Sequence, residues 1–326
     1  MAGLAEWAGA ETRPRYGGTL RVEVRLPGDS ADPPQIGAGI ADLNGSFAIT
    51  QWDGGRRAVY EASETAAGGR PYLDRVEVEL ARPLRDQAID LDLGKADLIE
   101  LGLTELRRQP AGRKVWPSAP VRVLALVFGP RVDDARVREA LSLGVDRGAI
   151  HRVLLQQQGE ISGALLPQWL TGYAFLFPAT ADIARARTLL SGMPAAARSL
   201  TLSADDPALR PMAERIALNA RDVGLTVAVG SGNADVRLTE IRIVSTDPAR
   251  ALTVVAAALG ANPPARAVSP EALYAAEKAL LEGFRVAPLF HLPDIYGVSP
   301  KVKGGPGISP LGEWRFENLW LEGGRP

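Results

Sequence analysis

Residues 200–229 constrain the fold most, because they read as a strand, a helix and a second strand in close succession. Asp206 and Pro207 fit the N-cap and first helical positions, and Gly224 is suited to end the helix before a strand at 225–229. One face of the helix is apolar and consists of Leu209, Met212, Ala213, Ile216, Ala217, Ala220 and Val223. A helix that connects two such strands implies that the strands are parallel neighbours in one sheet.

Other segments alternate strand and helix patterns in the same way. Residues 121–128 are continuously apolar, which predicts a strand buried on both faces of a sheet. Residues 270–281 read as a helix, and Asp133 or Asp134, and then Asp146, can cap two more. The alternation predicts an α/β fold with mixed sheets and flanking helices.

Turn and connection patterns add three local predictions. Asn44-Gly45 predicts a two-residue hairpin turn between short strands, because both turn positions favour positive φ. The proline-rich residues 110–120 read as a loop that crosses between two domains, and a length of 326 residues suits two domains. Residues 286–290 and 295–298 read as two separate strands.

Composition excludes several classes of protein. The formal net charge is −1, with lysine and arginine scattered among acids, so a nucleic-acid partner is not expected. The chain has no cysteine, which excludes disulfides, thiol nucleophiles and zinc–thiolate sites within it. Residues 1–15 lack a basic stretch followed by an apolar one, so no signal peptide is predicted in this sequence.

Catalytic and metal-binding patterns are weak. The two histidines, His151 and His291, have no neighbouring cluster of ligands of the kind that a metal site needs, so both are interpreted as structural or surface residues. The sequence has no Gly-x-Ser-x-Gly elbow and no phosphate-binding loop. We therefore predict no catalytic residue, no metal and no cofactor. An enzymatic function would rest only on the generality of α/β folds.

Several segments, in order, resemble the family 5 (peptide/nickel-type) extracellular solute-binding proteins of ABC transporters. The most specific is VDDARVREAL at residues 132–141, followed by VDRGAI at 145–150. The other segments are YGGTLRV at 16–22, GRPYLDRV at 69–76, residues 91–98, VAPLFH at 286–291 and WRFENLW at 314–320. Family members carry a longer segment before the position of Tyr72, so the resemblance implies a shortened first lobe.

The resemblance implies a two-lobed, periplasmic-binding-protein-like fold with a reduced first lobe. It implies that residues 1–118 form the first lobe, that 119–284 form the second, and that 285–326 return to the first. A peptide or other small-molecule ligand would bind between the lobes, and ABC transporter permease subunits would be the partners. The protein would be a monomer and would lie in the periplasm or outside the cell.

Two loops carry the candidate ligand-binding residues. Trp169 and Tyr173 follow Pro167 in a loop that, in the family, comes near the cleft, where aromatic rings stack on a ligand at little entropy cost. The alternative is that both rings anchor the loop on the core of their own lobe. Thr246 and Asp247 resemble a stretch at the cleft edge, where Asp247 would accept a hydrogen bond from a ligand amine. Its alternative is a helix N-cap, with proline next in sequence.

Three hypotheses therefore stand at the level of sequence. The first is a binding protein that closes on a solute by a hinge motion. The second is an interaction or regulatory protein that keeps the fold and has lost the pocket, motivated by the shortened first lobe. The third is an enzyme such as a hydrolase, which only fold analogy supports.

Overall fold

A computed structural model describes residues 13–25, 43, 45–102, 113–261 and 269–323 as an α/β structure. The strands are β1 (Thr19–Glu23), β2 (Phe47–Asp53), β3 (Arg57–Ala62), β4 (Arg75–Glu79), β5 (Leu98–Glu100), β6 (Lys114–Phe128), β7 (Glu160–Ile161), β8 (Ser199–Ala204), β9 (Thr226–Gly230), β10 (Val236–Arg242), β11 (Val286–Val298), β12 (Val302–Lys303) and β13 (Trp320–Leu321). The α-helices are α1 (Leu84–Asp92), α2 (Ala135–Gly144), α3 (Arg147–Val153), α4 (Gln168–Thr171), α5 (Ile183–Leu189), α6 (Arg210–Val223), α7 (Pro248–Ala258) and α8 (Pro270–Leu281). Short 3₁₀ helices cover Ala195–Arg198, Pro207–Leu209 and Glu282–Phe284.

Eleven of these strands form one mixed sheet in the order β2-β3-β4-β1-β5-β11-β6-β10-β8-β9, with β7 paired to β11. Strands β1, β4 and β5 are parallel neighbours, as are β8, β9 and β10, and we call these the first and second strand groups. The long antiparallel strands β6 and β11, here called the crossing pair, lie between the two groups. The predicted α/β class with a mixed sheet and flanking helices is confirmed.

The strand–helix–strand unit at residues 200–229 is present as predicted. Strands β8 and β9 pair in parallel, from Ser199 opposite Thr226 to Ser203 opposite Gly230. Asp206 caps the 3₁₀ turn that precedes α6, and Gly224 ends α6 with a φ of 93°. A residue with a side chain is strained at that φ, so glycine suits the position.

Residues 121–128 of β6 are buried on both faces of the sheet, apart from the half-buried Arg122, as their apolar run predicts. Leu124 and Leu126 pack into a core beneath α2, α3 and α6, whereas Val123 and Ala125 pack into a second core beneath α7 and α8. Burying such side chains contributes about 1.5–3 kcal/mol each, so the two layers of helices hold β6 firmly. Helices cover both faces here, whereas the first strand group buries most of its apolar side chains on one face.

The predicted loop at 110–120 is wrong for residues 114–120, which form the first half of β6. Proline favours loops because it cannot donate to a strand ladder. Pro117 and Pro120 nevertheless lie in this strand, because its ladder with β11 is irregular there. Pro120 lies opposite Pro293 and Pro117 opposite Ile295, and the register shifts on both sides of Pro293. For the same reason, the two strands predicted at 286–290 and 295–298 are one continuous strand, β11.

The predicted hairpin at Asn44-Gly45 falls partly outside the described residues, which do not include Asn44 or the strand expected before it. Strand β2 pairs instead with β3, from Phe47 opposite Ala62 to Asp53 opposite Arg57. Gly54 and Gly55 make this tight turn with φ values of 41° and 86°. Two adjacent glycines supply the positive φ values that a short hairpin turn requires.

Separate apolar cores lie at the two ends of the crossing pair, one core at the first end and two at the other. The first joins the first strand group to the C-terminal segment, since Leu20 and Val76 share it with Trp314, Phe316 and Leu319. Trp116 on β6 and Tyr296 on β11 contribute to this first core. The other end of the crossing pair contributes to the cores of the second strand group.

Candidate functional site

The parallel strands of both groups direct their carboxyl ends at the middle of the crossing pair. In the first group, β5 pairs with β11 from Leu98 opposite Val298 to Glu100 opposite Tyr296. In the second group, β10 pairs with β6 from its start near Phe128 to Arg242 opposite Arg122. Ligands of open α/β sheets bind beyond the carboxyl ends of the strands. The space over the middle of the crossing pair is therefore the candidate site.

Four charged side chains meet at this point and form what we call the charged network. Arg122 on β6 contacts Glu240 on β10 at 2.8 Å and Asp294 on β11 at 3.1 Å. Arg242, at the end of β10, contacts the other oxygen of Asp294 at 2.5 Å. Burial disfavours the charged form of Arg122, but the carboxylates of Glu240 and Asp294 outweigh it and raise the pKa of Arg122. Arg122 thus keeps its positive charge despite its burial.

Two further charged side chains, Arg25 and Asp206, contact each other and come from different strand groups. Arg25, just after β1, donates from Nη1 to Asp206 Oδ2 at 2.5 Å. Glu100 Oε2 accepts from the Arg25 backbone N–H at 2.6 Å. Burial raises the pKa of Asp206, but hydrogen bonds from the Ala208 backbone N–H and from Arg25 outweigh it, so the net pKa is lowered.

Trp169 lies against the crossing pair. Its indole Nε1 donates to Pro120 O at 2.8 Å, and 38% of the residue remains exposed. Helix α4 brings it there, because Pro167 precedes the helix and Gly172 ends it with a φ of 85°. A half-exposed indole that is fixed through its N–H presents a rigid ring face, which suits contact with a ligand.

Tyr173 turns away from the crossing pair and contacts α8. Its hydroxyl donates to Glu277 Oε2 at 2.7 Å, and its ring meets that of Tyr274 edge-on at 5.3 Å. The other oxygen of Glu277 accepts from the backbone N–H groups of Leu165 and Leu166 at 2.5 and 3.1 Å. The geometry of Tyr173 is thus that of a side chain anchoring its own loop.

Asp247 is the N-cap of α7. Its Oδ1 accepts from the backbone N–H groups of Ala249 and Arg250 at 2.9 and 3.3 Å, with Pro248 at the first helical position. Thr246 beside it is exposed. Among the described residues, no hydrogen bond or ring contact links Thr246 or Asp247 to Trp169 or Tyr173. The structure therefore brings only Trp169, of the four predicted site residues, into contact with the crossing pair.

Sequence reasoning missed Arg25, Arg122, Asp206 as an ion partner, and Asp294. Arg122 carries a usable signal, because it is a lone charge at the start of an apolar run. The Arg25–Asp206 pair carries none, since 181 residues separate its members. Asp294 follows Pro293 in a segment that reads as a turn, which hides its place within a strand.

The two histidines have structural surroundings. His291 is 2% exposed, and its Nε2 lies 3.1 Å from Leu165 O. The Nε2 of His151 lies 3.1 Å from Gly159 O. Within the ranges that the structure describes, no three histidine or acidic side chains gather in a way that could hold a metal ion.

Acid is expected to destabilise the fold through His291. Burial lowers its pKa from 6.5 to about 4, opposed by hydrogen bonds with the backbone at Leu165 and Ala164. Between these values the unfolded chain binds a proton that the native protein does not, so stability falls as pH falls from 6.5 to 4. The loss is about 3 kcal/mol at about 1.4 kcal/mol per pKa unit.

Urea unfolding of the wild type and of His291→Gln, at several pH values between 7 and 4, measures this effect. The glutamine keeps a donor for Leu165 O and does not titrate in this range. The difference in unfolding free energy should shift by about 3 kcal/mol in favour of the variant as pH falls. Parallel pH profiles for the two proteins would disprove the prediction.

A groove of about 720 Å³ is lined by residues between 139 and 284, none of which belongs to the crossing pair. Its wall includes Phe177 and Phe284, whose rings stack at 4.9 Å, and the ion pair of Glu139 with Arg185 at 2.5 Å. None of the helices in the described part of the chain combines the length and the apolar character needed to cross a membrane.

Comparison with known proteins places the chain among binding proteins. The family model "Bacterial extracellular solute-binding proteins, family 5 Middle" matches residues 27–264. No curated protein sequence matches the chain. The sequence resemblance is confirmed by the family match.

Solved structures share the fold. The ABC transporter substrate-binding protein CtaP from Listeria monocytogenes is 13% identical with a TM-score of 0.69, and the match covers 85% of this chain and 66% of that one. A dipeptide-binding protein from Pseudoalteromonas sp. SM9913, in complex with Met-Leu, is 16% identical with a TM-score of 0.68, covering 85% and 64%. The periplasmic binding protein DppA from Helicobacter pylori, in complex with the peptide STSA, is 17% identical with a TM-score of 0.65, covering 85% and 62%.

The chain thus spans somewhat less than two thirds of the length of these three proteins. The predicted periplasmic-binding-protein-like fold, shortened relative to its neighbours, is confirmed by this likeness. At these identities the likeness concerns the fold and carries no residue-level correspondence.

Proposed function

Because the chain belongs to the family 5 bacterial extracellular solute-binding proteins, we propose that it is the solute-binding component of an ABC-type importer. Its ligand is a peptide or another small organic solute, and it delivers that ligand to permease subunits. It works outside the cytoplasm, as a monomer, without catalysing a reaction. Residues 1–118 with 285–326 form one lobe and 119–284 the other.

One observation carries this proposal. The carboxyl ends of two sets of parallel strands are directed at the middle of the crossing pair, which carries the charged network and contacts the partly exposed indole of Trp169. A site that offers both polar groups and an aromatic ring suits a ligand with a polar backbone and apolar side chains. The side chain that we propose for direct contact is Trp169, with Tyr173, Thr246 and Asp247 as further candidates from the sequence.

Thermal and chemical unfolding with pooled dipeptides, tripeptides and longer peptides tests the function. A ligand at 100 times its dissociation constant should raise the free energy of unfolding by about 2.7 kcal/mol. Trp169→Ala should weaken the binding of any active peptide by about tenfold, since it removes a rigid aromatic contact. Tyr16→Ala is the matched control, because it removes an aromatic ring that is 59% exposed and precedes β1. This variant should bind the peptide as the wild type does. No stabilisation by any peptide, sugar or metal in a broad screen would refute the proposal.

A second candidate function is that of an interaction or regulatory protein without a transport ligand. The observation that favours it is the direct contact of Arg25 with Asp206 between the two strand groups, in a chain shorter than its structural neighbours. It predicts that no solute stabilises the protein and that sedimentation depends on protein concentration or on an added partner. A saturable solute would decide against it.

A further inference from the structure

Of the ion pairs in the described residues, that of Arg25 and Asp206 alone joins the loops that end the two strand groups. Arg25 follows β1 of the first group, and Asp206 follows β8 of the second. Strands β1 and β8 are not neighbours in the sheet, so no backbone ladder holds these two loops together. Their contact at 2.5 Å therefore depends on how the two strand groups are placed relative to each other.

Each partner is positioned by its own half of the molecule. The Arg25 backbone N–H donates to Glu100 Oε2, and the Glu100 N–H donates to Gln87 Oε1 at 2.9 Å, so α1 and β5 fix the loop after β1. Asp206 Oδ1 accepts from the Ala208 N–H at 2.8 Å and leaves Oδ2 for Arg25. Separation of the two strand groups would therefore break the ion pair and leave intact the hydrogen bonds that position Arg25 and Asp206.

The hydrogen-bond ladder of the crossing pair is interrupted near its middle, where the pair is easiest to bend. Pro120 and Pro293 lie opposite each other, and neither has an N–H to donate to the ladder. The register shifts on both sides of Pro293, which weakens the pairing further. The charged network differs from the Arg25–Asp206 pair, because Arg122, Glu240 and Asp294 lie on strands that are adjacent in the sheet. It therefore does not tie the two strand groups together across the bend.

We propose that the Arg25–Asp206 ion pair is a latch, which holds the two strand groups in the closed arrangement and releases them when its electrostatic attraction is screened or removed. The latch regulates access to the proposed ligand site, so its biological meaning rests on the proposed function, although its action does not need a ligand. Both side chains are partly exposed, at 39% and 30%, so solvent ions reach the pair. A pair of this exposure changes the ratio of closed to open molecules by about fivefold, enough to bias a hinge without locking it.

The distance between the two halves, measured with a pair of spin labels, tests the latch. The chain has no cysteine, so cysteines introduced at exposed Gln51 on β2 and Leu218 on α6 label the two halves selectively. Raising NaCl from about 0.01 M to about 1 M shortens the Debye length from about 30 Å to about 3 Å. The long-distance population should rise about fivefold over this range in the wild type.

Arg25→Gln and Asp206→Asn should each show the long distances at low salt and lose most of the salt response. Arg210→Gln, which removes an exposed pair within α6, should behave as the wild type. Unchanged distances in Arg25→Gln and Asp206→Asn at low salt, with circular dichroism showing both folded, would overturn the latch. This readout uses no ligand, so a failed peptide screen would refute the proposed function and leave the latch intact.

Discussion

Replacing Asp294 with alanine is expected to lower the free energy of unfolding by about 3–5 kcal/mol, because it removes the carboxylate that Arg122 and Arg242 share and leaves the largely buried Arg242 without an ion partner among the described residues. Asp294 contacts Arg122 at 3.1 Å through one oxygen and Arg242 at 2.5 Å through the other. Only 12% of its side chain is exposed, so water cannot replace it easily. Urea unfolding at neutral pH measures the loss.

The matched control is Asp133→Ala. Asp133 also pairs with an arginine, Arg285, at 3.1 Å, but 92% of its side chain is exposed. An exposed pair contributes at most about 1 kcal/mol, so this variant should remain near the wild type. Equal losses for the two variants would show that burial of the charged network does not determine its contribution.

Replacing Glu277 with alanine is expected to cost about 4 kcal/mol. Its carboxylate is fully buried and accepts three hydrogen bonds, from the N–H groups of Leu165 and Leu166 and from the Tyr173 hydroxyl. Each buried donor left without an acceptor costs about 1–3 kcal/mol, partly offset because the buried carboxyl itself is removed. The loop that carries Trp169 should loosen as a result, which chemical unfolding and hydrogen exchange at residues 165–173 would detect.

Glu277→Gln separates the hydrogen bonds from the charge. Its amide oxygen still accepts from Leu165 and Leu166, so the loss should be about 1–2 kcal/mol. Burial raises the pKa of Glu277, because it disfavours the charged carboxylate. A neutral glutamine avoids this desolvation cost, which limits the loss of stability. A glutamine variant as unstable as the alanine variant would contradict this account.

Elements with a local physical cause are predictable from this sequence. The helix at 210–223 follows from apolar spacing and from glycine at 224, and Asp134 and Asp146 cap α2 and α3 because a carboxylate satisfies free N–H groups. The burial of 121–128 on both faces follows from its unbroken apolar run. These properties depend on residues that are close in the sequence, so they can be predicted without knowing the tertiary contacts.

Features that depend on distant partners are not predictable in this way. The strand at 114–120 contains Pro117 and Pro120 and exists only because β11 supplies an interrupted ladder. Tyr173 reads as a candidate ligand contact until Glu277, 104 residues away, is placed beside it. The charged network likewise assembles from three strands, and nothing in the local sequence of any one strand specifies the other two.

The first core sets an order of events during synthesis. Leu20 and Val76 are synthesised long before Trp314, Phe316 and Leu319, which complete the same core. The strands and helices of the second group are contiguous from β6 to α8, apart from their pairing with β11, and they emerge well before that. The first core therefore closes after the cores of the second group. Until then the apolar faces of β1 and β4 stay uncovered, and such exposed surface favours aggregation unless a chaperone binds it.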